Sequence, residues 1–155
     1  MTIQWSENLA TGIDMIDFQH KHLFIKVDNL LSLMLQSKGK EEVCKGIILL
    51  TDYAIKHFCM EEVLMLQHKY NALPSQESEH IKFIEDLTDL KMELEISGAA
   101  PNLLLRIQRQ LCSWLIKHIG NEDKMFGTFL KMGEYEIGIS TGLPSSLCLK
   151  KSGAT

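Results

Sequence analysis

Several things are scarce in this sequence, and each scarcity removes a class of function. Its 4 cysteines, Cys44, Cys59, Cys112 and Cys148, show no C-x-x-C spacing. They make no framework, and the first three lie in apolar helical patterns, so they read as free buried thiols in a reducing compartment. Lys and Arg number 16 against 20 Asp and Glu, for a formal net charge of -4. No basic face is present to attract nucleic acid or an anionic membrane. The chain has no positively charged start followed by an apolar run, so no signal peptide of the usual kind is expected. No stretch approaches the ~18 uncharged apolar residues of a spanning helix, and the expected location is cytoplasmic. With only 3 prolines, little interrupts long helices.

What is present is a chain of 155 residues, 45% hydrophobic, enough for one domain with its own core. Apolar residues recur three and four apart in four segments, about 14–36, 41–69, 76–95 and 103–129. Ser37-Lys38-Gly39-Lys40, with Gly39 just past a helix end, Asn71-Ala72-Leu73-Pro74-Ser75, with Ser75 as a cap, and the break at 97–102 separate them. Short links between long helices predict an all-α, up-down-up-down four-helix bundle over residues 1–131. Residues 1–13 form an irregular arm anchored by Trp5. Residues 132–155 read as an extended or partly disordered extension that could dock a protein partner.

Each predicted helix carries a histidine. His57 and Glu61, four apart, share a face of the second helix. His20 is in register with Phe24, His80 with Ile84 and Leu87, and His118 with Leu115. Both Gln76 and Glu77 are spaced to share a face with His80. Asp123 follows His118 by five, which a regular helix rotates away unless the helix is locally distorted. Glu62 reads as a solvated neighbour, and His68 as a surface or C-cap residue. Counted inward from the turns, the four imidazoles fall toward one end of the bundle. Four buried imidazoles with a carboxylate cost much desolvation unless an ion compensates them. Mixed imidazole and carboxylate donors suit iron, manganese or zinc.

The segments Gly12-Ile13-Asp14, Ile16-Asp17-Phe18-Gln19-His20-Lys21, His57-Phe58 with Glu61-Glu62, His80-Ile81-Lys82-Phe83 and Trp114-Leu115-Ile116-Lys117-His118-Ile119 with Asp123, together with Trp5, resemble the hemerythrin family, and its bacterial members in particular. The resemblance covers about residues 3–130. It implies a centre of two iron ions, bridged by Glu61, Asp123 and an oxo or hydroxo group. His20 and His57 would bind one iron, and His80 and His118 the other. O2 or another small diatomic ligand would bind at the two-histidine iron, beside a wall of Phe58, Trp114, Leu115, Ile119 and Phe126.

The family places a third histidine four residues before His80, where this chain has Gln76. Four arrangements stay open there: Gln76 as a weak ligand, water in its place, Glu77 swung in, or a site with one metal or none. The expected function is O2 binding, as carrier, store or sensor. Two alternatives stand beside it. One is a di-iron redox enzyme acting on peroxide, nitric oxide or O2. The other is a metal-poor helical interaction module.

Overall fold

Each apolar stripe needs a helical face to bury, and each becomes a helix. The computed structural model describes residues 3–98 and 101–133. Helix α1 is Asp14–Leu35, α2 is Lys40–Gln67 and α3 is Leu73–Ser97. Helix α4 spans 101–132. It consists of α-helical pieces Pro101–Ile107, Ser113–Lys117 and Lys124–Met132 joined by π-helical turns Gln108–Cys112 and His118–Asp123. α1 packs on α2 and α2 on α3, while α4 closes the bundle against α1 and α3. This is the four-helix bundle the periodicity predicts. Among the described residues, no helix is long and apolar enough to cross a membrane.

The helix ends differ from expectation in two places. Gly39 does not end α1; it is the N-cap of α2. Ser37, at φ 52, takes the left-handed position instead. The Ser37 N–H then donates to the Met34 carbonyl and the Lys38 N–H to that of Leu33, which closes the helix as a Schellman motif. Ser75 does not cap α3, because that helix already starts at Leu73 with Pro74 in its first turn. The fixed φ of proline suits the first turn, where its missing N–H has no partner to lose. His68 is the C-cap of α2, as expected.

The arm is anchored by Trp5, whose ring meets Phe24 edge-on at 5.7 Å. A 3-10 turn, Glu7–Leu9, follows. The carboxylate of Asp17 then accepts from the Thr11 N–H at 2.7 Å, the Thr11 hydroxyl at 2.8 Å and the Gly12 N–H at 3.1 Å. The arm thereby crosses α4 at Gly127, where an added Cβ would stand 2.6 Å from the Thr11 carbonyl oxygen. Cys44 and Cys112 are free, half-buried thiols, and Cys59 is buried in α2. The predicted extension from 134 onward lies outside the described residues.

Two apolar clusters fill the bundle. The larger includes Leu23, Phe24, Phe58, Phe83, Leu115 and Ile119. The smaller, at the arm end, includes Ile16, Leu64, Met65, Phe126 and Leu130. Between them lies a polar layer. On α1, His20 falls between Ile16 and Leu23; on α2, Glu61 falls between Phe58 and Leu64. On α3, Gln76 and His80 precede Phe83, and on α4, His118 and Asp123 lie between Leu115 and Phe126.

Candidate metal centre

The layer between the two clusters contains every expected histidine and both carboxylates. His20, Glu61, His80 and Asp123 are fully buried, and His57, Gln76 and His118 are at most 3% exposed. A regular helix advances about 100° per residue, so Asp123 would point away from His118. The π-helical turn His118–Asp123 adds one residue to the turn and returns Asp123 to the same face. There Asp123 Oδ1 lies 3.3 Å from His118 Nε2.

The two carboxylates divide their oxygens between two sides. Glu61 Oε1 stands 3.3 Å from His20 Nε2 and 3.4 Å from His57 Nε2, while Oε2 faces His80 Nε2 at 3.5 Å. Asp123 Oδ2 faces His20 Nε2 at 3.2 Å, and Oδ1 faces His118. Two groups of possible ligands result, both containing Glu61. One is His20, His57 and Glu61; the other is Glu61, His80, His118 and Asp123.

Outer hydrogen bonds set which ring nitrogens face inward. His57 Nδ1 is 2.8 Å from Gln19 Oε1. His80 Nδ1 is 2.7 Å from Glu62 Oε1. Both Nδ1 atoms therefore donate, and Nε2 of each ring faces the Glu61 carboxylate. For His57, a lone pair against carboxylate is repulsive unless a cation stands between them. His80 Nε2 also lies 3.1 Å from His118 Nε2.

Electrostatics carry the same message. Burial alone would lower His20, but the flanking Asp123 and Glu61 carboxylates outweigh it and raise the imidazole to about 9. Burial and the charge of Asp123 raise Glu61 to about 7, against the pull of His20. Burial opposes ionisation of Asp123 too, yet His118 and His20 hold it well below the usual carboxylate range. His118 is raised, burial being overcome by Asp123. His57 is driven well below an ordinary histidine, by burial and then by the charge of His20. A protonated imidazole thus takes the cation's place between two carboxylates.

The residues fit a metal by a further test. Among the described residues, the buried side-chain nitrogens and oxygens without a hydrogen-bond partner all belong to His20, Glu61, Gln76, His118 and Asp123. Buried polar atoms are seldom left so, and here His20 Nε2 faces the Glu61 and Asp123 oxygens. Imidazole and carboxylate donors suit iron, manganese or zinc.

Gln76 lies at the His118 side, where its Nε2 donates to Asp123 Oδ1 at 3.3 Å and its Oε1 is unpartnered. Glu77 is not brought to the cluster. One residue further along α3, it is turned about 100° outward and lines a surface groove with Pro74, Ser78 and Lys82. An aromatic wall lines this layer, with Phe58 buried and Trp114 half-buried. Phe58 stacks on His80 at 4.0 Å and Trp114 on His118 at 4.3 Å. Leu115 and Ile119 are buried beside them, whereas Phe126 sits beyond the polar layer in the smaller cluster. Two site residues escape the sequence reading. Glu62 is buried rather than solvated, and Gln19 is the outer partner of His57. The signal for Glu62 was a second acid inside an apolar run; Gln19 offers none.

The comparisons agree with this geometry. The model of the Hemerythrin HHE cation binding domain matches residues 11–130. A bacteriohemerythrin of Pseudomonas paraeruginosa is 31% identical over 119 residues, covering 77% of this chain and 75% of that protein. A bacteriohemerythrin of Methylococcus capsulatus is 30% identical over 121 residues, covering 78% and 90%. A crystal structure of wild-type hemerythrin superposes with a TM-score of 0.73 at 27% identity, covering 83% of this chain and 97% of that one. The match spans all four helices and every residue of the buried cluster, and this chain belongs to the hemerythrin family.

Proposed function

We propose that this chain holds two iron ions in the buried cluster and binds O2 there, as a carrier, store or sensor. Family membership and the His/Glu/Asp cluster support the coarser reading, non-haem iron with an O2-type ligand. The observation that carries the finer one is the division of oxygens. Glu61 and Asp123 each present one oxygen to His20 and the other to the His80–His118 side. Carboxylates that serve one ion have no need of this; carboxylates that bridge two do. His20 and His57 would hold one iron, and His80 and His118 the other. When bound, such a pair would supply electrons to O2. The protein's part would be to limit water and proton access, for which the rings of Phe58 and Trp114 stacked on the imidazoles and the buried Leu115 and Ile119 are suited.

A second reading rests on Gln76. In the family pattern a histidine stands there, and an amide oxygen is a weaker, neutral donor. An iron so held has a more exchangeable position, which favours redox turnover of peroxide, nitric oxide or O2. Iron per chain and visible spectra of deoxygenated, aerated and re-deoxygenated protein separate the two. Two irons with a charge-transfer band that appears in air and vanishes on deoxygenation are expected for O2 binding. Irreversible bleaching with consumption of peroxide or nitric oxide marks the enzyme. Absence of iron after anaerobic reconstitution sinks both.

A further inference from the structure

Taking the two-metal reading as its base, we infer that the two halves of the centre fill in order, the His80–His118 half first, and that Glu62 is the positioning residue behind this order. The halves differ in donors. Glu61 and Asp123 face both sides, but only on one do both carboxylates group with two imidazoles, His80 and His118; on the other, His20 and His57 group with Glu61, and Asp123 Oδ2 stands 3.2 Å from His20. The richer half also has the buried Gln76 carbonyl, Oε1, without a partner beside Asp123.

They differ in support as well. His80 leans through Nδ1 on the Glu62 carboxylate at 2.7 Å, and Glu62 is itself 2% exposed. His57 leans on the neutral amide of Gln19 at 2.8 Å. A carboxylate behind an imidazole makes its inward nitrogen more basic, so a better ligand, and fixes its orientation. An amide fixes orientation but adds little basicity. The rings of the first half are also clamped face to face. Phe58 and His80 lie within 7° of parallel, and Trp114 and His118 within 12°. Trp114 is pinned in turn by its Nε1–H donating to Glu79 at 3.0 Å. His20 meets Trp5 tilted at 6.3 Å, and its Nδ1 has no hydrogen-bond partner. Ligands already held where the metal needs them lose less freedom on binding. The extra negative charge of Glu62 would also offset the missing imidazole at 76.

Titration of metal-free, full-length protein with Co(II), followed anaerobically by calorimetry and by the visible absorption of the bound ion, tests this. Two binding events are expected, the first at least about 10-fold tighter. His57→Ala should abolish the second event and spare the first. Glu62→Gln should weaken the first by about 10–100-fold and leave the second within a factor of about 2, with Glu62→Asp recovering part of the loss. Two equal events, loss of the first event in His57→Ala, or an unchanged first event in Glu62→Gln overturns the ordering while leaving a metal centre standing. No Co(II) uptake by the parent protein overturns the metal reading itself. Far-ultraviolet dichroism of each variant establishes that a lost event is not lost helix.

Discussion

At the scale of single residues the centre is governed by which nitrogen of each imidazole is free. Gln19 and Glu62 occupy Nδ1 of His57 and His80, so Nε2 of each is left to point inward. On the proposed reading Gln76 is a weak donor beside the metal, and Gln76→His is expected to strengthen it. Gln76 is 1% exposed and its amide reaches Asp123, so an imidazole there would face the same space as His80 and His118. Retention of metal against a chelator should rise by at least about 10-fold, since outer partners alone carry 10–100-fold. The oxygenated band should also persist longer in air. Unchanged retention would mean that position 76 does not reach the metal. His20, His57, Glu61, His80 and His118 were legible because each is in register with an apolar stripe. Glu62 was not, because a core-edge acid looks solvated until its partner on another helix is known. Gln19 was hidden for the same reason.

At the scale of elements, the four helices follow from periodicity, while their irregularities do not. The interval from His118 to Asp123 looks wrong for a helix and is right for a π turn. The spacing raised the question of a distortion, but nothing local in the sequence distinguishes a π turn from an exposed acid. The extra residue is absorbed because Asp123 finds His118 and His20. The arm shows the same dependence on distant partners. Gly127 lies inside the helical piece Lys124–Met132, where glycine costs about 1 kcal/mol relative to alanine. In the fold it is where the Thr11 backbone passes, with no space for a Cβ. Gly127→Ala should therefore destabilise the protein although it improves helix propensity. Overpacking typically costs about 1–3 kcal/mol, so a net loss of about 1 kcal/mol is expected in urea unfolding of the metal-free protein. A gain in stability would show that the arm yields freely.

At the scale of the whole molecule, a polar layer cuts the hydrophobic core in two. Phe58, Phe83, Leu115 and Ile119 lie on one side, and Ile16, Met65, Phe126 and Leu130 on the other. Without metal, this layer leaves buried carboxylate and imidazole atoms facing one another without hydrogen bonds, each a desolvation cost of about 1–3 kcal/mol. An ion that satisfies them binds the folded state alone, because only folding brings α1, α2, α3 and α4 donors together. Its binding energy therefore adds to folding stability. At free metal 100-fold above Kd, one site contributes about 2.7 kcal/mol. For a chain of this length, that raises Tm by roughly 5–10 °C per site. Thermal melts of loaded and chelator-treated protein should differ by at least this amount. The gap should narrow as pH falls, because protons compete with metal for imidazole and carboxylate and the loaded state must release them. The proposed bridging would add a cooperative feature. If Glu61 and Asp123 serve both halves, removing either should erase the whole Tm gap, whereas His57→Ala should erase only part of it. Equal melting of loaded and stripped protein would mean that the layer is a purely structural polar network, with its charges neutralised by the proton on His20.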